Sequence, residues 1–149
     1  MATTEEINNI LSVLKGYVGA FPKDNLPKLN LNINTTKYIV INTDPSYKSG
    51  EHWLGLVFTK NECLYFDSYG LEILDRHILN YIKKSGYNVY KYSEKCVQPW
   101  HSNQCAYYVI CFIISMYHGE SYEKFISHFK NIRTNDYTII SMLKTFKLF

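Results

Sequence analysis

The sequence predicts an α+β domain in which a mixed or antiparallel central sheet packs against helices. Strand-like segments follow one another in the first half of the chain, over residues 37–43, 52–59 and 63–67. The second half holds the longest apolar run, residues 106–117, which carries no charged residue and follows a polar turn. A run of strands followed by helices is typical of this fold class.

Length and composition define the class of protein further. The chain has 149 residues, 46% of them hydrophobic and 19% charged, which is typical of one soluble globular domain over residues 1–149. We expect no signal peptide and no membrane contact, because the first residues are polar and the longest apolar run falls short of the roughly 20 residues of a membrane helix. The net charge of +3 permits contact with nucleic acid but does not argue for it.

The N-terminal segment has helical spacing. Apolar residues recur three and four positions apart, which predicts a helix over residues 4–17 that Thr3 or Thr4 caps. Pro22 and Pro27 then bracket a predicted loop.

The following segments predict the sheet. β-branched and aromatic residues favour a strand over residues 37–43, followed by a turn over 44–50. The pattern of residues 52–59 and 63–67 predicts a hairpin around residues 60–62. The remaining predicted elements are a helix over 71–84 that ends at Gly86, a strand over 87–92, a helix from Cys105, and two helices near 121–131 and 136–147.

Cys105 is the most informative of the four cysteines. The cysteines contain no CxxC pair, which argues against a zinc ribbon or a thioredoxin-like motif. Because no signal peptide is expected, we expect reduced thiols in an intracellular or virion setting. Cys63 and Cys111 lie in apolar segments and are interpreted as core residues. Cys105 instead follows a polar turn and begins a helix, whose unpaired N–H groups stabilise a thiolate. It is a candidate nucleophile, with a buried structural cysteine as the alternative.

Four further residues could complete a site for acyl-transfer chemistry. In a paired hairpin, His52 at the start of one strand and Asp67 at the end of the other are neighbours, so the carboxylate could hold the imidazole ring. Gln98, seven residues before Cys105, could bind an oxyanion together with the Cys105 backbone N–H. Trp53 could wall a cleft beside His52. The ordinary alternatives are a solvated histidine and glutamine, a turn-forming aspartate and a core tryptophan.

Several segments resemble a known family. Residues 50–53 (GEHW), 64–70 (LYFDSYG) and 97–98 (VQ) with Cys105 resemble the adenovirus-type maturation proteases and the wider class of ubiquitin-like-protein proteases that cleave SUMO. In that class the order along the chain is His, Asp or Glu, Gln, Cys, and the present order matches it. Residues 21–27 (FPKDNLP) are similar to an N-terminal element of the proteases of Polinton/Maverick elements and virophages.

The resemblance implies a viral cysteine endopeptidase of the adenain/Ulp-like fold, with its nucleophile at the N-terminus of a buried central helix. It makes Cys105 the nucleophile, His52 the proton carrier and Asp67 the residue that orients His52. Gln98 would serve the oxyanion hole, and Trp53 would contact substrate. The implied substrates are capsid precursors, cleaved at small-residue, Gly-rich sites by a monomer in the virion and the host-cell interior (a cytoplasmic or nuclear virus factory).

The chain departs from the family pattern at three positions. Asp67 stands where the adenoviral enzymes carry Glu, and Ala106 stands where the family usually has Gly. Tyr87 falls near the place of the adenoviral cysteine that bonds a peptide activator. We therefore expect no required cofactor. Activation by DNA or by a viral peptide, without that disulfide link, stays open, and the candidate basic residues for DNA are Lys83, Lys84, Lys91, Lys95, Lys130 and Arg133.

Three alternatives stay open at this point. The first is a deubiquitinase or deSUMOylase that acts on host ubiquitin-like conjugates with the same chemistry. The second is a catalytically inactive binding module of the same fold. The third is a metal site formed by Cys96, His101 and Cys105, whose spacing fits no familiar pattern.

Overall fold

The chain folds around a four-stranded mixed sheet, as described by a computed structural model of residues 2–29, 35–44 and 52–147. This confirms the predicted α+β class. The strands are β1 (Tyr17–Pro22), β2 (Lys37–Asn42), β3 (Trp53–Phe58) and β4 (Cys63–Phe66). The helices are α1 (Thr4–Leu11), α2 (Arg76–Lys84), α3 (Cys105–Tyr117), α4 (Tyr122–Ser127) and α5 (Asn135–Thr145), with a short 3-10 turn at Ile132–Thr134.

The sheet has the strand order β1-β2-β3-β4, with β1 parallel to β2 and the other neighbours antiparallel. The predicted hairpin is present as β3 and β4, in which Gly55 is opposite Phe66. The sequence does not predict β1, because Gly19 and Pro22 interrupt its apolar pattern. The register of β1 with β2 also shifts between Tyr17 and Gly19, so this edge strand is irregular.

Helices cover both faces of the sheet. Residues of α1, α3, α4 and α5 join the apolar cluster on one face, together with Val57 and Phe66. α2 joins the cluster on the other face, together with Leu56 and Tyr65. Because successive side chains of a strand point to opposite faces, β3 and β4 are buried at every position.

The predicted helices are present, four of them shorter than predicted, and α1 and α2 each differ from the prediction at one end. α1 ends at Leu11 rather than at residue 17, because the chain enters β1 at Tyr17. Its predicted cap at Thr3 is present. α2 begins at Arg76 rather than at residue 71, because the Asp75 carboxylate accepts hydrogen bonds from two N–H groups of the first turn. Both C-terminal helices are present as α4 and α5, shorter than predicted.

The strand predicted over residues 87–92 is wrong. Only Lys91 bridges to β4, at Leu64. The alternating tyrosines are held by side-chain contacts instead, because the Tyr87 and Tyr90 hydroxyls both bond to backbone groups of other segments. The two-residue alternation therefore reflects packing against the α2 face of the sheet, not a strand ladder.

Beyond Asp44, the turn predicted over residues 44–50 lies outside the described residues, and so do Gly50 and Glu51 of the family motif. Across the described ranges, no helix has both the length and the apolar character that crossing a membrane requires. The apolar α3 has 13 residues, against roughly 20 for a spanning helix.

α3 packs directly on β3 at Gly55. A Cβ at this position would lie 2.9 Å from Cδ2 of Phe112 and 3.3 Å from Cγ1 of Val109. Phe112 is fully buried and stacks on Phe66, with ring centroids 5.0 Å apart, so it has little room to move. Glycine is therefore what lets the helix and the strand approach this closely.

We expect Gly55→Ala to lower the free energy of unfolding by about 1–3 kcal/mol, the usual cost of overpacking a core. Urea denaturation measures this change. The same substitution should cost less in a Phe112→Leu background, where part of the clashing ring is gone. Equal stability of the wild-type and Gly55→Ala proteins would contradict the close approach.

Candidate active site

The outer ends of the β3–β4 hairpin bring His52 and Asp67 together. His52 precedes β3, and its carbonyl accepts a hydrogen bond from the Thr43 N–H at 2.9 Å. Asp67 follows β4, and its Oδ1 lies 2.8 Å from His52 Nε2. Both side chains are largely buried. The structure therefore places His52 and Asp67 side by side, as the predicted hairpin requires.

Cys105 is the first residue of α3, and its sulfur faces His52. The thiolate form accepts hydrogen bonds from the His52 ring and from the backbone N–H groups of Trp53 and Ala106. Because Asp67 occupies Nε2, Nδ1 is the ring nitrogen left for Cys105. The residue is only 2% exposed, so its partners enclose the sulfur.

The N-terminus of α3 has no side-chain cap, because the side chain of Gln104 makes no capping hydrogen bond. A Ser, Thr, Asp or Asn cap typically contributes about 1 kcal/mol, so the bare end is a cost to the fold. It leaves the Ala106 N–H to the sulfur of Cys105. The positive end of the helix dipole favours the thiolate in addition.

These contacts shift two pKa values in opposite directions. Burial alone would raise the pKa of the Cys105 thiol, but hydrogen bonds from His52 and from the backbone lower it below its ordinary value. Burial alone would lower the pKa of His52, but its hydrogen bonds with Asp67 and Cys105 raise it to about 9. Both shifts favour a thiolate–imidazolium pair. By contrast, burial raises the pKa of Cys63 to about 12 and also raises the pKa of Cys111.

A tight turn holds the Asp67 carboxylate. The Tyr69 N–H donates to Asp67 Oδ1 at 2.9 Å, and the Gly70 N–H donates to the Asp67 carbonyl at 2.8 Å. Gly70 has a φ of 72°, and a Cβ there would lie 2.5 Å from the carbonyl oxygen of Glu94. The turn therefore requires glycine at this position, and Asp67 both forms the turn and contacts His52.

Gln98 is 1% exposed, so it is not a solvated loop residue. Its Oε1 accepts a hydrogen bond from the Ser68 hydroxyl at 2.5 Å, and its Nε2 donates to the Ser102 carbonyl at 2.9 Å. These bonds fix the orientation of the amide. One N–H of the amide remains after the bond to Ser102. The assignment of that N–H to an oxyanion stays a prediction.

Helix α5 anchors the loop over residues 98–104, although nothing in the sequence assigns it to the site. Asn135 Nδ2 donates to the Val97 carbonyl at 2.8 Å. Asp136 Oδ1 accepts a hydrogen bond from the Ser102 hydroxyl at 3.0 Å. These contacts join residues more than 30 positions apart, so no local pattern could reveal them.

Tyr69 contacts the ring of His52, and two tryptophans adjoin this pair, Trp53 in the chain and Trp100 against Tyr69. Trp53 is 5% exposed, its ring belongs to the apolar cluster around α3, and its Nε1 has no hydrogen-bond partner among the described residues. That Trp53 forms one wall of a cleft beside His52 stays a prediction. Sequence patterns do not reveal Tyr69, which stacks on His52 with ring centroids 4.8 Å apart. Trp100 is 83% exposed and meets Tyr69 edge-on.

A metal site finds no support in the structure. Among the described residues, no three His, Cys, Asp or Glu side chains are grouped so that they could hold a metal ion. Cys96 and His101 are exposed, whereas Cys105 is buried against His52.

The arrangement is suited to nucleophilic acyl transfer. A thiolate, a ring nitrogen that can carry a proton and a carboxylate that orients the ring are the groups that this chemistry requires. Comparison of the chain with protein-family models and with curated proteins finds no match. The contacts of the described residues are therefore the basis for assigning a function.

We expect Ser68→Ala to lower the free energy of unfolding by about 1–3 kcal/mol, because the buried Oε1 of Gln98 loses its donor. Urea denaturation measures the loss. Ser141→Ala is the matched control, because Ser141 is exposed on α5, and it should change stability by less than about 0.5 kcal/mol. A Ser68→Ala protein as stable as this control would show that the bond does not hold Gln98.

Proposed function

We propose that this protein is a cysteine endopeptidase of the adenain/Ulp-like fold. The observation that carries the proposal is that one histidine, His52, bonds to the Asp67 carboxylate and interacts with the thiolate of Cys105 at the start of a buried helix. The opposite pKa shifts of Cys105 and His52 support it, because an activated cysteine nucleophile has a lowered pKa and a cationic partner.

In the first half of the proposed reaction, the Cys105 thiolate attacks the carbonyl carbon of the scissile peptide bond. A C–S bond forms, and the carbonyl π electrons move to the oxygen. The oxyanion then collapses, the C–N bond breaks, and the proton of the His52 imidazolium passes to the leaving amine. The products are a thioester on Cys105 and a neutral His52.

In the second half, neutral His52 takes a proton from water while the water oxygen attacks the thioester carbon. Collapse of this second oxyanion breaks the C–S bond and releases the new carboxyl terminus. The thiolate of Cys105 and the imidazolium of His52 are restored. Asp67 holds the ring throughout and stabilises its charge.

Gln98 and the Cys105 backbone N–H are the proposed donors to both oxyanions. Bonds to Ser68 and Ser102 already hold the Gln98 amide, so little reorganisation would be needed when charge develops. One such donor typically lowers the barrier by on the order of 3 kcal/mol.

The proposed substrates are viral capsid or other structural precursors, cleaved at Gly-rich sites during virion maturation in the virion or a host-cell virus factory. The support is the resemblance of residues 50–53, 64–70 and 97–98 with Cys105 to the maturation proteases. Trp53, next to His52 in the chain, would narrow the cleft, and a narrow cleft admits residues without bulky side chains. The chain contains no Gly-Gly pair, so we do not expect self-cleavage at such a site.

Activation by DNA is a separate proposal, and two of its six candidate basic residues already contact other groups of the protein. Lys91 pairs with Glu123, and the Lys95 ammonium donates to the Phe129 carbonyl. A DNA-binding face would therefore depend on the other candidate basic residues, Lys83, Lys84, Lys130 and Arg133. Strong weakening of any activation by salt would be its signature.

We expect Cys105→Ala to abolish cleavage of a precursor that contains a Gly-Gly site, while the protein still folds, because the substitution removes the nucleophilic sulfur. Incubation with candidate capsid precursors, followed by sequencing of the new termini, measures this. Ser141→Ala, at an exposed position on α5, is the control and should cleave at the wild-type rate, because it leaves every cysteine in place.

A parallel assay with ubiquitin-like C-terminal adducts separates the alternatives. Cleavage of adducts but not of precursors would replace the proposed substrate class with host conjugates. No cleavage of either substrate, together with a Cys105 that does not react with a thiol-directed probe, would favour an inactive binding module. Full cleavage by Cys105→Ala would contradict the assignment of the nucleophile.

A further inference from the structure

Tyr69 makes two independent contacts at the site, one with the His52 ring and one with the Asp67 carboxylate. Its ring lies over the imidazole, with centroids 4.8 Å apart and planes inclined by 24°. Its backbone N–H donates to Asp67 Oδ1, the same oxygen that contacts His52 Nε2. One residue therefore covers a face of the imidazole and also holds the carboxylate that orients it.

We propose that Tyr69 is a positioning residue whose ring keeps His52 in its charged, Asp67-bonded orientation. This inference rests on the proposed function, because it concerns the proton that His52 would deliver to the leaving amine. In this role the Tyr69 ring neither contacts the substrate nor transfers a proton.

Two physical effects support this role. The face of an aromatic ring carries partial negative charge and attracts a cation stacked on it, so the Tyr69 ring stabilises the imidazolium over the neutral imidazole. The ring also keeps water from that face, which strengthens the attraction of the imidazolium to the Asp67 carboxylate and the Cys105 thiolate. Exclusion of water also removes solvation from the His52 imidazolium. The negative charges of Asp67 and Cys105 offset this loss.

The titratable groups that act on this stack among the described residues include two carboxylates and two thiols. His52 is bonded to Asp67 and Cys105. Burial, followed by the charges of Cys105, Asp67, Cys96 and Asp136, raises the pKa of the Tyr69 hydroxyl. The tyrosine ring therefore stays neutral over the range in which His52 and Cys105 titrate.

Trp100 extends the stack toward solvent. Its ring meets that of Tyr69 at 83° with centroids 6.4 Å apart. Because Trp100 lies in the loop between Gln98 and Cys105, this contact joins the Tyr69 ring to that loop. The position of the Tyr69 ring is thus determined by its own backbone turn, by His52 and by this loop.

The test is the pH dependence of alkylation of Cys105 by iodoacetamide, read for each cysteine by mass spectrometry. Tyr69→Leu keeps the backbone N–H but removes the ring, so the thiolate–imidazolium pair should weaken. We expect the Cys105 profile to move to higher pH by about half a unit to one unit, or about three- to tenfold slower alkylation at a pH on its slope. Tyr69→Phe, which keeps the ring, should restore the wild-type profile.

Two comparisons make the result specific. Exposed Cys96 is an internal reference, and its profile should not follow that of Cys105. Tyr137→Leu, which removes an exposed tyrosine on α5, should leave the Cys105 profile unchanged. Tyr69→Met provides the same test if Tyr69→Leu does not fold, as judged by circular dichroism.

The outcomes separate this inference from the proposed function. If the alkylation profile of wild-type Cys105 has its midpoint at no lower pH than the profile of Cys96, the thiol is not activated and the proposed function fails. If Cys105 is activated but Tyr69→Leu has an unchanged profile, or one moved to lower pH, the role of Tyr69 is overturned while the proposed function stands. Failure of Tyr69→Phe to restore the profile would also overturn the role of the ring.

Discussion

The burial of α3 is the constraint on which the rest of the structure depends. Ten of its 13 residues are buried, so every side of this helix must be covered. The sheet covers one side through β3, and α1, α4 and α5 cover the others. Gly55 lets β3 approach the Phe112 ring closely enough to complete that contact. Because the helix has no freedom to slide against its neighbours, its first residue, Cys105, has a defined place beside the start of β3.

The site follows from that placement. The hairpin that packs on α3 also ends in His52 and Asp67, so the packing that buries the helix brings the imidazole to the sulfur. The uncapped helix end directs a backbone N–H at the same sulfur. Each contact is ordinary by itself, and together they favour charge separation between Cys105 and His52 in a place where burial alone would oppose both charges. The core and the proposed chemistry therefore share one set of contacts.

The sequence predicts the parts that have a local periodicity. The β3–β4 hairpin and α3 show clear two-residue and helical patterns, and the approach of His52 to Asp67 is a direct consequence of the hairpin. β1 escapes prediction because it is stabilised by pairing with β2, not by its own pattern. The segment at residues 87–92 has a strand pattern, but its tyrosines pack without a ladder. The hydrogen bond that holds Gln98 joins residues 30 positions apart, so no local pattern predicts it. The position of the Tyr69 ring over His52 depends on the geometry of one turn, which a residue pattern does not encode either.

The protonation state of the His52 ring, followed by NMR as a function of pH, tests the thiolate–imidazolium pair most directly. The contacts predict a pKa of about 9 in the wild-type protein, so the ring stays charged at neutral pH and loses its proton as the pH rises through that value. In Cys105→Ala the pKa should fall, because the bond to sulfur and its negative charge are gone while Asp67 remains. A wild-type His52 that titrates at its ordinary value of 6.5, unchanged by Cys105→Ala, would contradict the pair.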